Sequence, residues 1–340
     1  NRLDRKMASS SSPLRSSVMP FPSVSPLPPS PPTAMKDGEF KNWAELPPEL
    51  TSSILLRLGA TEILENAQRV CRSWLRLCKD PSMWRKIDML DLDDYDSKDC
   101  KASMCRRAID RSQGGLVEID IGYFGSDDLL DYIADSSSGL RSLKLVMCNQ
   151  LTDDGFAEVV VKLPLLEELE ASYCSLSEES LKAVGKSCPN LKTLKLNCAG
   201  YRVPRNESDD EALAIAATMP RLGHLQLFGN RLTDVGLNAI LENCPDLEHL
   251  DLRQCFNVNL VGDLEKRCLE KIKVVRRPND STRDYPYDAT INDVDSSDDE
   301  YPYGFSDVDL MSDDEYLYDL SGASDHSDDD MFDVYDDLYL

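Results

Sequence analysis

Long apolar runs are absent: no stretch of the 340 residues approaches the ~18 apolar residues that would cross a bilayer, so a soluble chain is expected. A charged start followed by an apolar core, the mark of a secretory signal, is absent as well. Histidine is scarce, at 3, and the 11 cysteines form no C-x-x-C pair. Tight zinc-ligand spacing is therefore missing, and the thiols read as reduced, in the cytoplasm or nucleus. There is no phosphate-binding glycine loop, no G-x-S-x-G and no cysteine set beside a histidine. Catalytic residues, a metal and a cofactor are accordingly not expected.

Clustered bases are missing too. Residues 279–340 hold 21 Asp/Glu against one Lys/Arg, most of the formal charge of −25, while the other 278 residues hold 41 acids and 36 bases. The acidity belongs to a tail, and nothing offers phosphate a basic patch, so neither nucleic acid nor a membrane is an expected partner. At the other end, residues 1–41 lack a core-forming pattern. Their stretch 8–34 is rich in Ser and Pro, with no acid and one base, Arg15. It reads as a disordered leader, although ASSSSPLRSS also has the Ser-rich, acid-free character of an organellar transit peptide. The first residue is Asn, and Met7, Met19 and Met35 are all candidate starts.

What is present begins near Trp43, in NWAELPPELTSSILLRLGATEILENAQRVCRSWLRLCKDPSMWRKIDM. Pro47 and Pro48 suit the first turn of a helix, where a missing N–H costs nothing. Leu50, Ile54, Leu55 and Leu58 follow at helical spacing until Gly59. A second helix is expected from Thr61 to Lys79, with Ile63, Leu64, Ala67, Val70, Cys71, Trp74, Leu77 and Cys78 on one face. On that helix Cys71 and Cys78 would stand two turns, about 10.5 Å, apart, too far for a disulfide. Arg69, Arg72 and Arg76 fall to the solvent side. Asp80-Pro81 ends the helix, and Ser82-Met83-Trp84 begins a short third turn.

LPPEL, ILLRL, RVCRSW and DPSMW, in that order and spacing, resemble the F-box, the trihelical segment that docks on the Skp-type adaptor of SCF ubiquitin ligases. By that resemblance Leu46, Pro47, Leu50, Ile54, Leu55 and Leu58 are the expected adaptor contacts. Val70, Cys71 and Trp74 continue the apolar face, shared between adaptor and internal core. A bundle of this size is marginal alone and gains by packing on a neighbour.

A repeat follows a helical connector at 88–115. L-x-x-L-x-L patterns start at Leu116, Leu140, Leu166, Leu191, Leu222, Leu247 and, decayed, at Leu269, in steps of 24, 26, 25, 31, 25 and 22 residues. This is the leucine-rich repeat: the first apolar residue and those at +3 and +5 point inward from a short strand, and a convex helix returns the chain. LTDDGF (151–156) and LTDVGL (232–237) mark helix starts, with Asp as the expected cap. SCPN (187–190) and NCPD (243–246) mark helix ends. Cys148, Cys174, Cys188, Cys244 and Cys255 recur in phase and are expected in the core. The step of 31 contains an insertion, AGYRVPRNESD, expected as a loop at one edge.

F-box followed by such repeats resembles the plant F-box/leucine-rich-repeat proteins. The resemblance implies a non-catalytic substrate receptor: the F-box joins the cullin ligase, and the repeats capture a target protein for ubiquitination. A repeat scaffold acting without a ligase is the alternative. The expected architecture is a three-helix F-box (42–87), the connector, an α/β solenoid arc of about seven repeats (116–276) and a disordered acidic tail (277–340). Alternation along the strands puts His224, Gln226 and Phe228, then His249, Asp251 and Arg253, on the concave side, with Phe228 exposed beside the histidines. They are the candidate target-binding residues. In the tail, SSDDEYPYG, MSDDEYLYD and HSDDDMF are near copies, in which Ser297, Ser312 and Ser327 precede acids as an acidophilic kinase prefers. The tail is either a solubilising extension or a contact for a basic partner.

Overall fold

A computed structural model describes residues 46–90, 97–202 and 206–291. The leader, most of the acidic tail and its three serines lie outside the described residues.

Near the N-terminus, α1 (Pro48–Leu55) starts where Pro48 can enter a helix without losing a bond, and the Thr51 amide donates to the Pro47 carbonyl at 3.0 Å. The expected long second helix is broken. α2 (Ala60–Glu65), a 3-10 turn (Ala67–Arg69) and α3 (Arg72–Cys78) replace it. The break falls at Cys71, which is fully extended (φ −162°, ψ 170°) and stands at the N-cap of α3. Cys71 and Cys78 therefore do not share one helix face, and the two-turn spacing argument does not apply. A second 3-10 turn, Pro81–Trp84, is capped by Asp80, whose carboxylate accepts from the Ser82 amide at 2.9 Å.

Trp84 is 1% exposed, and its indole N–H donates to the Cys78 carbonyl at 2.8 Å. Beyond it lies β1 (Lys86–Met89), which pairs in parallel with β2 (Glu118–Ile121). The expected boundary at residue 88 is corrected by this pairing. Register places Ile87 and Met89 opposite Ile119 and Ile121, so Trp84-x-x-Ile87-x-Met89 has the repeat spacing, with tryptophan, in the turn just before the strand, at the place Leu116 takes in the next repeat. Between the two strands, α4 (Lys98–Ser112) packs beneath the N-terminal helices. Its Arg111 donates to Gln68 at 2.7 Å and to the Cys78 carbonyl at 3.3 Å, and its guanidinium lies 5.4 Å from the Trp84 ring. The small helical bundle and the repeats share one continuous apolar core.

The sheet continues as β3 (Ser142–Val146), β4 (Glu168–Ser172), β5 (Thr193–Asn197), β6 (His224–Gln226), β7 (His249–Asp251) and β8 (Val274–Arg276), all parallel and in chain order. Ile119, Leu143, Leu169, Leu194, Leu225 and Leu250 form one aligned inward row, each 0–2% exposed. Burial of each contributes about 1.5–3 kcal/mol of transfer free energy. In β8 the expected start at Leu269 is three residues early. Leu269 belongs to α10 (Gly262–Lys271), and Val275 pairs with Leu250, so Ile272 holds the first apolar place and the last step is a regular repeat.

Convex helices α5 (Asp127–Ser136), α6 (Asp153–Val160), α7 (Glu178–Ser187), α8 (Asp210–Thr218) and α9 (Asp234–Asn243) cover the other side. Their caps correct another expectation: Thr152 and Thr233, not the aspartates, accept from the first-turn amides of Gly155 and Val235. Aspartate instead ties four of these repeats to the next. Asp127 accepts from the amide and hydroxyl of Thr152 (2.9 and 2.7 Å), Asp153 from the Ser177 amide (2.7 Å), Asp209 from Thr233 (2.7 Å for both groups) and Asp234 from the Asn259 amide (2.8 Å). Cys148, Cys174, Cys188, Cys244 and Cys255 are all buried, their thiols near carbonyls of the preceding repeat.

Candidate functional site

Two surfaces hold the candidate residues. On the N-terminal bundle, Leu50 and Val70 are 54% and 58% exposed, and Pro47 is exposed as well. Leu46, Ile54, Leu58, Cys71 and Trp74 are half-buried. Leu55 must be struck from the adaptor contacts: it is 0% exposed and belongs to the apolar core. Leu56, off the helical stripe and thus unread in the sequence, is 59% exposed and joins the open apolar surface. Cys71 also departs from expectation. A hydrogen bond with the Ser73 hydroxyl at 3.0 Å, with amide bonds at the start of α3, lowers its thiol pKa, whereas burial raises that of Cys78.

The concave face is built from two rows of outward strand residues. In the outer row Lys86 pairs with Glu118 at 3.0 Å, and the rings of His224 and His249 stack 5.3 Å apart at 15°. Both histidines are half-buried; burial, then the neighbouring His249 and Lys195, hold His224 below the usual imidazole range. In the inner row, burial pushes the Asp120 carboxyl up to about 6, with Lys144 opposing and Asp88 reinforcing. Burial also pushes Glu170 upward, but the Tyr287 hydroxyl, Lys195 and Lys144 together bring it below its ordinary value. A polar chain runs on from Glu170: Ser172 donates to it at 3.0 Å, Asn197 to Ser172 at 2.7 Å and Gln226 to Asn197 at 2.6 Å.

The remaining candidates are covered. Residues 277–291, expected to be disordered, return over the concave face. Tyr285 lies flat on Phe228, centroids 3.8 Å apart and planes within 1°, so Phe228 is 1% exposed instead of open to solvent. Arg253 holds Asp251 through paired hydrogen bonds of 2.7–3.1 Å, then reaches Asp284 at 2.8 Å and the Ser281 carbonyl at 3.1 Å. Arg276 grips the same Asp284 at 2.9 Å. Asp251 and Arg253 are therefore buried as a pair, not presented as contacts. Tyr287 donates to Glu170 at 2.6 Å, with the Lys144 ammonium 5.7 Å from its ring. Tyr173 donates to the Asp288 carbonyl at 2.8 Å and meets the Tyr285 hydroxyl at 3.2 Å, and Gln254 donates to the Ala289 carbonyl at 2.7 Å.

Tyr173 and Gln254 were missed in the strand phase because they sit in the turn after the strand. Both have left-handed backbone (φ 56° and 61°), at places equivalent to Gly229 (φ 68°), where a Cβ would fall 2.3 Å from the Cys198 carbonyl. Such a conformation costs a non-glycine residue about 1 kcal/mol or more. Tyr285 and Tyr287 were missed because their setting, acidic and proline-containing, looks unable to pack. Their one signal was aromatic content within an acidic run.

The F-box-like family matches residues 43–90. The chain is 67% identical over 284 residues to F-box protein SKIP19 of Arabidopsis thaliana, covering 83% of this chain and 90% of that protein. It is 60% identical over 283 residues to Putative F-box/LRR-repeat protein 23 of the same plant, covering 82% of this chain and 59% of that protein. With Putative F-box/LRR-repeat protein 22 of Arabidopsis thaliana the identity is 55% over 282 residues, 80% of this chain and 91% of that protein. Among solved structures, a chain in the yeast Rad7 and Elc1 complex aligns at 16% identity with a TM-score of 0.39, covering 64% of this chain and 65% of that one.

Proposed function

The chain belongs to the plant F-box/leucine-rich-repeat proteins, and from that premise we propose that it is the substrate-recognition subunit of an SCF-type ubiquitin ligase. The F-box docks on a Skp-type adaptor and so on a cullin; the repeats hold a target protein for ubiquitination and degradation. The chain itself supplies no catalytic group. It binds and positions.

The observation that best supports this reading is that Leu50, Leu56 and Val70 are more than half exposed on a bundle whose Leu55, Ile63, Leu64, Met83 and Trp84 are buried. Large apolar side chains left in solvent on so small a bundle suit a partner surface. Leu46, Pro47, Ile54, Leu58, Cys71 and Trp74 surround it as further contacts, exposed or half-buried.

The test is capture by a purified Skp-type adaptor. Wild type is expected to bind, and Leu50→Asp/Val70→Asp to lose at least tenfold in affinity with an unchanged melting transition. Equal capture of both proteins, or of neither, would overturn the reading and favour a repeat scaffold outside any ligase.

A further inference from the structure

We propose that the concave groove around Glu170, Phe228 and Arg253 is a receptor for an acidic peptide with a Tyr-x-Tyr core. Asp284–Asp288 occupies it in cis, and a target protein supplies the same chemistry in trans. The identity of the trans occupant as a ligase target rests on the function proposed above; the peptide chemistry stands on the contacts alone.

Each recurring position of the bound segment meets its own complement. The leading acid, Asp284, sits between Arg253 and Arg276 at 2.8 and 2.9 Å. The first tyrosine stacks on Phe228, and the second donates to Glu170. Pro286 and Asp288 are exposed. The chain repeats this pattern twice more, as EYPYG at 300–304 and EYLYD at 315–319. Both copies keep an acid and the two tyrosines. They differ at the places of Asp284, which becomes Glu300 and Glu315, of Pro286, which becomes Leu317, and of Asp288, which becomes Gly304. The acid changes only to the other carboxylate, the two freely varied positions are exposed, and the invariant tyrosines are buried (Tyr285) or half-buried (Tyr287).

The groove is prepared for a peptide. Arg253 is 4% exposed and fixed from below by Asp251. Tyr173 and Gln254, both in left-handed backbone, grip main-chain carbonyls of Asp288 and Ala289, contacts open to any sequence. Lys144 and Lys195 add positive charge beside Glu170. The resident segment contains neither helix nor strand between residues 277 and 291, so its departure unwinds no ladder and forfeits only its own contacts.

The test uses the full chain with Tyr285, Tyr287, Tyr301, Tyr303, Tyr316 and Tyr318 changed to Ser, and a fluorescein-labelled peptide TRDYPYDAT. Fluorescence anisotropy is expected to show saturable binding, at least tenfold tighter to this variant than to wild type, and none for TRDSPSDAT. Equal affinity for both proteins, or no binding by a variant that keeps its melting transition, would overturn the proposal. Should the variant misfold, hydrogen exchange on wild type decides: saturating peptide must accelerate the amides of residues 285–289, and unchanged exchange sinks the idea. Adaptor capture is scored on the same samples. Its loss with peptide binding intact fails the ligase reading alone.

Discussion

The F-box surface and the concave face handle apolar side chains in opposite ways. On the first, Leu50, Leu56 and Val70 stand in water. On the second, Phe228 lies under a tyrosine from the same chain. An open patch is ready for a partner at all times, at the risk of non-specific association. A covered patch must be vacated first, so its partner competes with a tethered occupant whose effective concentration is high. On the function proposed above, one molecule thus carries a standing contact and a contested one, joined through Trp84.

The largest expected effect comes from removing that joint. Trp84→Ala should cost about 3–5 kcal/mol in urea unfolding, because a buried indole and its hydrogen bond to Cys78 are lost. A loss below about 1 kcal/mol would mean the two regions are not held as one core. Next, two leucines of one helix should separate core from contact. Leu55→Ala is expected to lose about 2–5 kcal/mol, and Leu50→Ala to stay within about 0.5 kcal/mol in the same assay. Similar losses would return Leu50 to the core and weaken the contrast.

On the concave side, Tyr285→Ala should uncover Phe228. Anilinonaphthalene sulfonate fluorescence is expected to rise and stability to fall by about 1–2 kcal/mol, part of it the stacking contribution. Unchanged dye binding would show that the cover is made by something else. The smallest effect is a pH slope. The folded state binds the Asp120 proton more tightly than the unfolded chain does, raising this carboxyl to about 6. Its contribution is full below the ordinary carboxylate value of about 4 and is lost as pH rises through about 6. Melting temperature against pH should therefore be flatter for Asp120→Asn than for wild type across that window.

The repeats were legible because leucine has one simple job in them. A fixed period of inward side chains is written directly into the spacing, and the aligned row from Ile119 to Leu250 follows from it. Exceptions arose where another residue type did leucine's job. Trp84 read as the end of the F-box because tryptophan is not part of L-x-x-L-x-L, and β1 was hidden with it. Leu269 drew the last repeat three places forward because a leucine on an exposed helix surface matches the pattern as well as Ile272 does.

The candidate sites were less legible, for a physical reason. Helical phase predicts which residues share a face only while the helix continues, and the extended backbone at Cys71 interrupts it. Strand alternation placed Phe228 and Arg253 on the concave side, but could not show what lies over them. Proximity of the DYPYD segment to the groove is a long-range fact. Tyr287 and Glu170 meet across 117 positions of sequence. The aspartates of LTDDGF and LTDVGL were half read: they sit at helix starts, but the carboxylates of Asp153 and Asp234 serve the neighbouring repeat, a contact no single repeat can display.

Trp84 also fixes how such a molecule can grow. Because it is both the last side chain of the bundle and the first inward residue of the ladder, no repeat can be inserted there without separating the two. A repeat added past β8, where the covering segment begins its return, leaves that joint intact. Each added repeat would move that starting point away from Phe228 and lengthen the crossing. A chain with a longer arc would therefore need a longer covering segment to keep Tyr285 on Phe228.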